Sequence, residues 1–110
     1  MTNHEISIAD VSASIGQPDA PTIIDIRDGD SFARGHIPGA SWNGADSFDV
    51  ARFPEGTTYD TPLVIACYRG VMSKEVVNYL HSMGYTNVKS MAGGMEAWRQ
   101  TPNAPMETGR

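Results

Sequence analysis

A run of five apolar residues, Leu63-Val64-Ile65-Ala66-Cys67, constrains the fold of this chain more than any other feature. A strand that faces solvent on one side alternates apolar and polar residues, whereas this run has no polar position. Continuous apolar strands are typical of parallel sheets whose two faces are both covered by helices. The run therefore predicts a central strand in an α/β sheet.

Predicted strands and helices alternate on both sides of this run. Thr22–Ile26 is short and β-branched, which predicts a strand, and Ser73–Met83 has the apolar stripe of a helix that ends at Gly84. The remaining predicted segments are helices over Ile8–Ile15, Asp28–Ala33, Asp46–Phe53 and Gly94–Arg99, an extended piece at Ser41–Trp42 and a strand over Asn87–Ser90. This alternation indicates an open, mostly parallel sheet.

The length and charge of the chain exclude several classes of protein. Its 110 residues predict a single domain (1–110) with a core over about 6–100 and a loosely ordered tail over 101–110. A net charge of -5 argues against binding to nucleic acid or to anionic membranes. No apolar run is long enough for a membrane span or a signal peptide, so we expect a cytoplasmic protein.

Cys67 is the single cysteine of the chain, which excludes an intramolecular disulfide, a tetrathiolate zinc site and an iron–sulfur cluster. The three histidines, His4, His36 and His81, have no spacing typical of metal ligands. We therefore expect neither a metal nor a cofactor. Any enzyme chemistry must rely on this thiol, or on carboxylates and hydroxyls.

The position of Cys67 favours a reactive thiol. Sites in open α/β sheets lie beyond the carboxyl ends of the strands, where this residue is predicted to lie. The following loop contains Gly70 and leads into a helix that begins at Ser73, so backbone amides and the helix dipole can stabilise a thiolate. The alternative is a small buried apolar side chain. The glycine-containing loop favours the nucleophile.

Two cations accompany this loop. Arg69 lies within it, and Lys74 lies in the first turn of the helix, where a positive charge opposes the dipole. Both are candidates for attracting an anionic substrate. For Lys74, an ordinary solvated lysine beside Glu75 is an equally good interpretation.

Four motifs, in order and spacing, resemble those of rhodanese-type sulfurtransferases. Cys67-Tyr68-Arg69-Gly70-Val71-Met72-Ser73-Lys74 resembles the active-site loop, although Met72 stands where a small hydroxyl residue is often found. The other three motifs are Ile24-Asp25-Ile26-Arg27-Asp28, Gly35-His36-Ile37-Pro38-Gly39-Ala40 and Gly93-Gly94-Met95-Glu96-Ala97-Trp98. The likeness extends from about Ile6 to Trp98, and among subfamilies it is strongest to the single-domain bacterial thiosulfate sulfurtransferases of the GlpE type.

This resemblance implies a five-stranded parallel sheet with helices on both faces. It also implies a ping-pong reaction in which Cys67 takes sulfane sulfur from a donor such as thiosulfate. The resulting persulfide passes this sulfur to cyanide or to a dithiol acceptor, such as a thioredoxin-like protein. The residues expected to bind the donor are Tyr68, Arg69, Gly70, Val71, Met72, Ser73 and Lys74.

Other functions compete with this interpretation. A cysteine-dependent phosphatase or an arsenate-type enzyme can share the fold, but a phosphatase needs an arginine six positions after the cysteine, and Ser73 stands there. A non-catalytic partner-binding module often lacks the cysteine. A thiol–disulfide oxidoreductase needs a second cysteine. The side chains expected to be structural are Asp25, Arg27, His36, Trp42, Trp98 and the solvated Glu96.

Overall fold

In the computed structural model, which describes residues 4–109, five short strands form one sheet. The strands are β1 (Glu5–Ile6), β2 (Thr22–Asp25), β3 (Ser41–Trp42), β4 (Leu63–Ala66) and β5 (Val88–Met91). The helices that connect them are α1 (Ile8–Ser14), α2 (Gly29–Arg34), α3 (Met72–Ser82) and α4 (Gly94–Gln100). The strand order is β1-β5-β4-β2-β3, and each paired strand in this part of the chain is parallel to its neighbour. The predicted α/β sheet is confirmed.

Strand β4 occupies the centre of this sheet, and all four of its residues are buried. Leu63 and Ile65 pack in one hydrophobic cluster with Val77 and Leu80 of α3. Val64 packs in a second cluster on the other face, with side chains of α1 and α4 such as Val11, Met95 and Trp98. Since successive side chains of a strand point to opposite faces, helices cover β4 on both sides, as its sequence predicts.

Helix α3 is eleven residues long and lies one residue earlier at each end than the predicted span. Val77 and Leu80 are buried on its inner side, and Tyr79 is exposed. Within residues 4–109, no helix combines the length and the apolar character that crossing a membrane would require.

Three short segments differ from the sequence-based prediction. In place of a helix over Asp46–Phe53, the chain forms two 3₁₀ turns, Ala45–Ser47 and Val50–Arg52. The Asn43 side chain bonds to both the amide and the carbonyl of Asp49, and these local bonds compete with a helix. Strand β1 was not predicted, because two residues carry no periodic signal. Strand β4 ends at Ala66, so Cys67, the predicted last residue of this strand, lies just beyond it.

Residues 101–109, which the sequence predicts to be a loosely ordered tail, form backbone hydrogen bonds with the rest of the domain. The chain folds back so that Glu107 and His36 exchange two backbone hydrogen bonds of 2.9 Å in an antiparallel bridge. Gly109 donates to the carbonyl of Ala33 at 2.8 Å, and Trp98 Nε1 donates to the carbonyl of Pro105 at 3.0 Å. The prediction rested on Pro102 and Pro105. Composition does not reveal backbone pairing with distant residues, so the pairing of this segment could not be predicted. Arg110 lies outside the described residues.

Candidate active site

Cys67 lies at the carboxyl edge of the sheet with its side chain almost fully buried. Its Sγ accepts hydrogen bonds from the amide of Gly70 at 3.2 Å and from the amide of Ser73 at 3.3 Å. The Ser73 hydroxyl lies 3.2 Å from the same sulfur. Two amides and a hydroxyl around one sulfur stabilise negative charge there. The geometry therefore fits a thiolate nucleophile.

The sulfur also completes the start of helix α3. The N-cap residue, Val71, has no side-chain oxygen that could accept a bond from the first turn. The Ser73 amide, which a capping side chain would normally satisfy, points to Cys67 Sγ instead. The positive end of the helix dipole thus acts directly on the reactive atom.

A buried pair of serines, Ser73 and Ser90, extends the hydrogen-bond network of the sulfur into the core. Ser73 Oγ and Ser90 Oγ are 2.6 Å apart, and both residues are fully buried. When the Ser73 hydroxyl donates to the sulfur, the Ser90 hydroxyl can donate to Ser73, so each proton has an acceptor. Sequence reasoning missed Ser90. The sequence signal that could have identified it was a polar residue at an inward-facing position of the predicted strand Asn87–Ser90.

The Gly93-Gly94 pair fixes the far side of the loop. The amides of Met95 and Glu96, in the first turn of α4, donate to the carbonyls of Cys67 and Tyr68 at 2.7 and 2.9 Å. This approach requires glycine, because a Cβ on Gly94 would lie 2.5 Å from the Tyr68 carbonyl group, and its φ is +62°. The motif therefore holds the active loop in position.

Tyr68 is held by residues from the start of α2. Its hydroxyl donates to Asp28 Oδ2 at 2.8 Å and makes a short contact with Ser31 Oγ. The Arg27 guanidinium lies 5.8 Å from the centre of the Tyr68 ring, a cation–π distance. These contacts link the loop to the strand–helix connection next to it. Sequence reasoning did not assign Asp28 and Ser31 to the site, since their link to Tyr68 is made across the sheet.

A cavity of about 760 Å³ opens in front of Cys67. One wall is the loop itself, with Tyr68, Arg69, Val71 and Met72. Other lining residues come from the segment after β2 and from the end of β3 and the segment after it, and they include Arg27, Asp28, Trp42, Ala45 and Asp46. Val71 and Met72 are exposed at the rim. The cavity is large enough for a small donor and for part of an acceptor.

The two candidate cations have carboxylate partners. Arg69 Nε lies 3.1 Å from Glu96 Oε2, and its side chain is 79% exposed at the edge of the cavity. Lys74 Nζ lies 3.3 Å from Glu5 Oε2 and does not line the cavity. The structure therefore brings Arg69 to the site with the loop residues, but not Lys74. Glu96 is exposed as expected and is paired with Arg69.

The other motif residues build the scaffold. Arg27 donates to both carboxylate oxygens of Asp25 and, through Nη2, to the carbonyl of Gly35 at 2.7 Å. His36 is buried, with Nδ1 2.7 Å from the carbonyl of Phe32. Trp98 is a core residue, whereas Trp42 lines the cavity and donates to the Arg27 carbonyl. Over residues 4–109, no three His, Cys, Asp or Glu side chains group in a way that could hold a metal ion.

Protonation of Asp28 should loosen the Tyr68 contact. The Ser31 amide and the hydroxyls of Tyr68 and Ser31 donate to this carboxylate and lower the pKa of Asp28 to about 2. Because the folded-state pKa is lowered, this stabilisation is present above the ordinary value near 4 and is lost as the pH falls towards 2.

We therefore expect Asp28→Asn to be less stable than the native chain at pH 7, and the difference to shrink as the pH falls from 4 to 2. Urea unfolding of both proteins across this range measures it. Asp19→Asn, which alters an exposed carboxylate, is the control. A difference in stability that does not change with pH would show that the charge of Asp28 is not involved.

Comparison with known proteins agrees with this geometry. The sequence profile of the Rhodanese-like domain family matches residues 7–101. A curated relative from Pseudoalteromonas translucida, named "Thiosulfate sulfurtransferase GlpE", is 35% identical over 107 residues, which cover 97% of this chain and 99% of the relative. The protein of the same name from Pseudomonas fluorescens is 39% identical, over 79% of this chain and 78% of its own length.

Solved structures support the fold as well. The solution structure of a rhodanese-like domain from Anabaena sp. superposes with a TM-score of 0.82. It is 24% identical in sequence, and the match covers 97% of this chain and 80% of that chain.

Proposed function

Because the chain belongs to the rhodanese-like domain family, we propose that it is a thiosulfate sulfurtransferase that works through a persulfide on Cys67. The observation that carries this proposal is the position of Cys67 Sγ at the start of α3, where it accepts hydrogen bonds from the amides of Gly70 and Ser73. The free thiol of Cys67 is the state that this reaction requires and that the cytoplasm maintains, so we place the reaction there.

In the first half-reaction, the Cys67 thiolate attacks the outer sulfur of thiosulfate. A bond forms between Sγ and this sulfur, while the sulfur–sulfur bond of thiosulfate breaks and its electron pair leaves with sulfite. The product is a persulfide anion on Cys67. The amides of the loop from Tyr68 to Ser73 and the N-terminus of α3 then stabilise the charge on its terminal sulfur.

In the second half-reaction, a nucleophile attacks the terminal sulfur and restores the thiolate. Cyanide would leave as thiocyanate. A dithiol acceptor would first take the sulfur as its own persulfide, and its second thiol would then release sulfide and close a disulfide. The exposed Val71 and Met72 at the cavity rim give such an acceptor an apolar surface to approach.

A phosphatase or an arsenate-type enzyme is the competing function on a similar fold. In place of the phosphate-clamping arginine, the sixth residue after Cys67 is Ser73, whose side chain is buried and bonded to Ser90. We therefore expect thiosulfate:cyanide transfer to be readily measured while the hydrolysis of aryl phosphates stays at background. Assays of both reactions on one preparation test this, and the reverse pattern would favour the phosphatase. Absence of both activities would favour a partner-binding module.

Arg69 should contribute modestly to donor binding, and Lys74 should not. The Arg69 side chain is mostly exposed and shares its charge with Glu96, and the cavity wall also carries the carboxylates of Asp28 and Asp46. We expect Arg69→Gln to raise KM for thiosulfate roughly two- to fivefold at low salt, since an exposed ionic contact contributes at most about 1 kcal/mol.

Lys74→Gln is the matched control, because it removes an equally paired cation outside the cavity. Steady-state kinetics at low and high salt measure both variants, and the effect of Arg69→Gln should shrink as salt increases. Equal effects of the two substitutions would instead indicate that net charge, and not a local contact, attracts the donor.

A further inference from the structure

A second, smaller cavity of about 200 Å³ shares the side chains of Tyr68 and Arg27 with the Cys67 cavity. Three of the eight basic side chains of the chain line it, namely Arg27, Arg34 and Arg99. The hydroxyl-bearing side chains of Tyr68 and Ser31 also contribute to its wall. Its volume is below the range of sites for drug-sized ligands, so its occupant must be small.

Two of the three arginines of this cavity, Arg34 and Arg99, are less neutralised than the other cations near the site. Among residues 4–109, neither Arg34 nor Arg99 has a carboxylate within ion-pair distance, in contrast to Arg69 and Lys74. Arg34 donates to Ser31 Oγ at 3.2 Å, and the Arg99 side chain forms no hydrogen bond or ion pair within residues 4–109. In a chain with a net charge of -5, two such guanidiniums at one small cavity are a strong sign of an anionic ligand.

The buried Arg27 adds a further donor. Its Nε and Nη2 bond to Asp25, and Nη2 also bonds to the Gly35 carbonyl, but Nη1 has no acceptor within the described chain. A side chain that is 5% exposed and retains an unused donor can offer it to a ligand.

The local charge balance fits an anion as well. Asp25 compensates Arg27, and the Asp28 carboxylate beside the cavity is already bonded to Ser31 and Tyr68. Asp28 attracts Arg34 from beyond ion-pair distance, whereas no carboxylate among residues 4–109 forms an ion pair with Arg99.

The folded-back tail completes the enclosure. Met106 lies against Gly35, where a Cβ would come within 2.5 Å of its terminal methyl group, and both residues line the cavity. The bridge between His36 and Glu107 holds Met106 there. The Met106 side chain limits the space, which favours a compact ligand. The forked N–H donors of the guanidiniums match the oxygen atoms of an oxyanion.

We infer that this cavity is a second binding site for a small tetrahedral oxyanion, of the sulfate or phosphate type, separate from the cavity that contains the reactive sulfur. Tyr68 and Arg27 line both cavities. An oxyanion at the second site therefore contacts side chains that also shape the active loop, and its occupation changes the environment of Tyr68.

Sulfate is a suitable probe, because it carries no transferable sulfur. Backbone amide NMR shifts are followed during titration with sodium sulfate at constant ionic strength, with phosphate and acetate as further arms. We expect saturable shifts at Arg34, Gly35 and Arg99 with sulfate or phosphate, and weaker ones with acetate. Shifts at Gly70 and Ser73 report separately on the active loop, so the inference and the proposed function can fail independently.

Substitution then identifies the ligand-binding side chains. Arg34→Gln and Arg99→Gln should each weaken the sulfate response of Gly35 roughly three- to fivefold, whereas Lys89→Gln, which removes an exposed cation elsewhere, should leave it unchanged. The inference is wrong if Gly35 shows no saturable shift, if acetate acts as strongly as sulfate, or if Lys89→Gln weakens the response as much as the two arginine variants do.

Discussion

Replacing Gly94 with alanine should destabilise the protein by about 2–5 kcal/mol and strongly reduce sulfur transfer. The added Cβ would lie 2.5 Å from the carbonyl carbon and oxygen of Tyr68 and 2.6 Å from the amide nitrogen of Arg69. All three are backbone atoms, which cannot move aside as a flexible side chain can. The collision would push α4 away from the loop and strain the bonds from Met95 and Glu96 to the Cys67 and Tyr68 carbonyls.

Gly16→Ala separates this collision from the cost of the backbone conformation. Gly16 also has a positive φ, +82°, but an added Cβ there meets no atom within 4 Å. It should therefore lose only about 1–2 kcal/mol, the cost of a left-handed conformation for alanine, and keep its activity. Urea unfolding and thiosulfate:cyanide assays of both variants measure the two effects. Equal losses of stability in the two variants would show that close packing at Gly94 is not important.

The sequence was sufficient to predict the central features of the fold. The apolar run Leu63–Cys67 predicts a strand buried on both faces, and the periodicity of α3 predicts a helix with one inner stripe. Both signals are local and repeated over several residues. The segment between β3 and β4 was predicted wrongly, because Asn43 and Asp49 form bonds whose geometry no periodic pattern encodes.

The reactive loop was predictable in the same way, but its support was not. The order of Cys67, Gly70 and Ser73 along the chain indicates amides around a sulfur at a helix start. By contrast, the bond between Ser73 and Ser90 and the fixation of Tyr68 by Asp28 join residues 17 and 40 positions apart. Such pairs depend on the strand order of the sheet, which a single sequence does not show.

The pairing of charges was equally hidden. Arg69 and Lys74 look alike in the sequence as cations near the reactive cysteine. In the structure Arg69 meets Glu96 beside the cavity and Lys74 meets Glu5 of β1, away from it. The position of β1 next to β5 decides this second pair, and this two-residue strand left no trace in the hydrophobic pattern.

Replacing Cys67 with serine should abolish sulfur transfer while leaving the fold intact. Serine has nearly the same shape as cysteine, and its hydroxyl oxygen can accept the hydrogen bonds from the amides of Gly70 and Ser73 in place of the sulfur. A neutral hydroxyl is a weak nucleophile compared with a thiolate, so no bond to the outer sulfur of thiosulfate forms. We expect a loss of at least about a thousandfold in kcat/KM, with an unfolding midpoint close to that of the native protein.

The opposite result would arise if a group other than Cys67 carried the sulfur. In that case Cys67→Ser would retain substantial turnover. Ser73→Ala offers a graded comparison, because it removes the hydroxyl beside the sulfur but keeps the thiol and the backbone amide. Its activity should fall between the native protein and Cys67→Ser.

Intact-mass spectrometry after incubation with thiosulfate tests the persulfide most directly. The native chain should gain the mass of one sulfur atom, and subsequent treatment with cyanide should remove it. The Cys67→Ser protein, treated identically, should gain none. Cyanide-labile sulfur on the serine variant, or no added sulfur on a native protein that turns over thiosulfate, would contradict a reaction carried by Cys67.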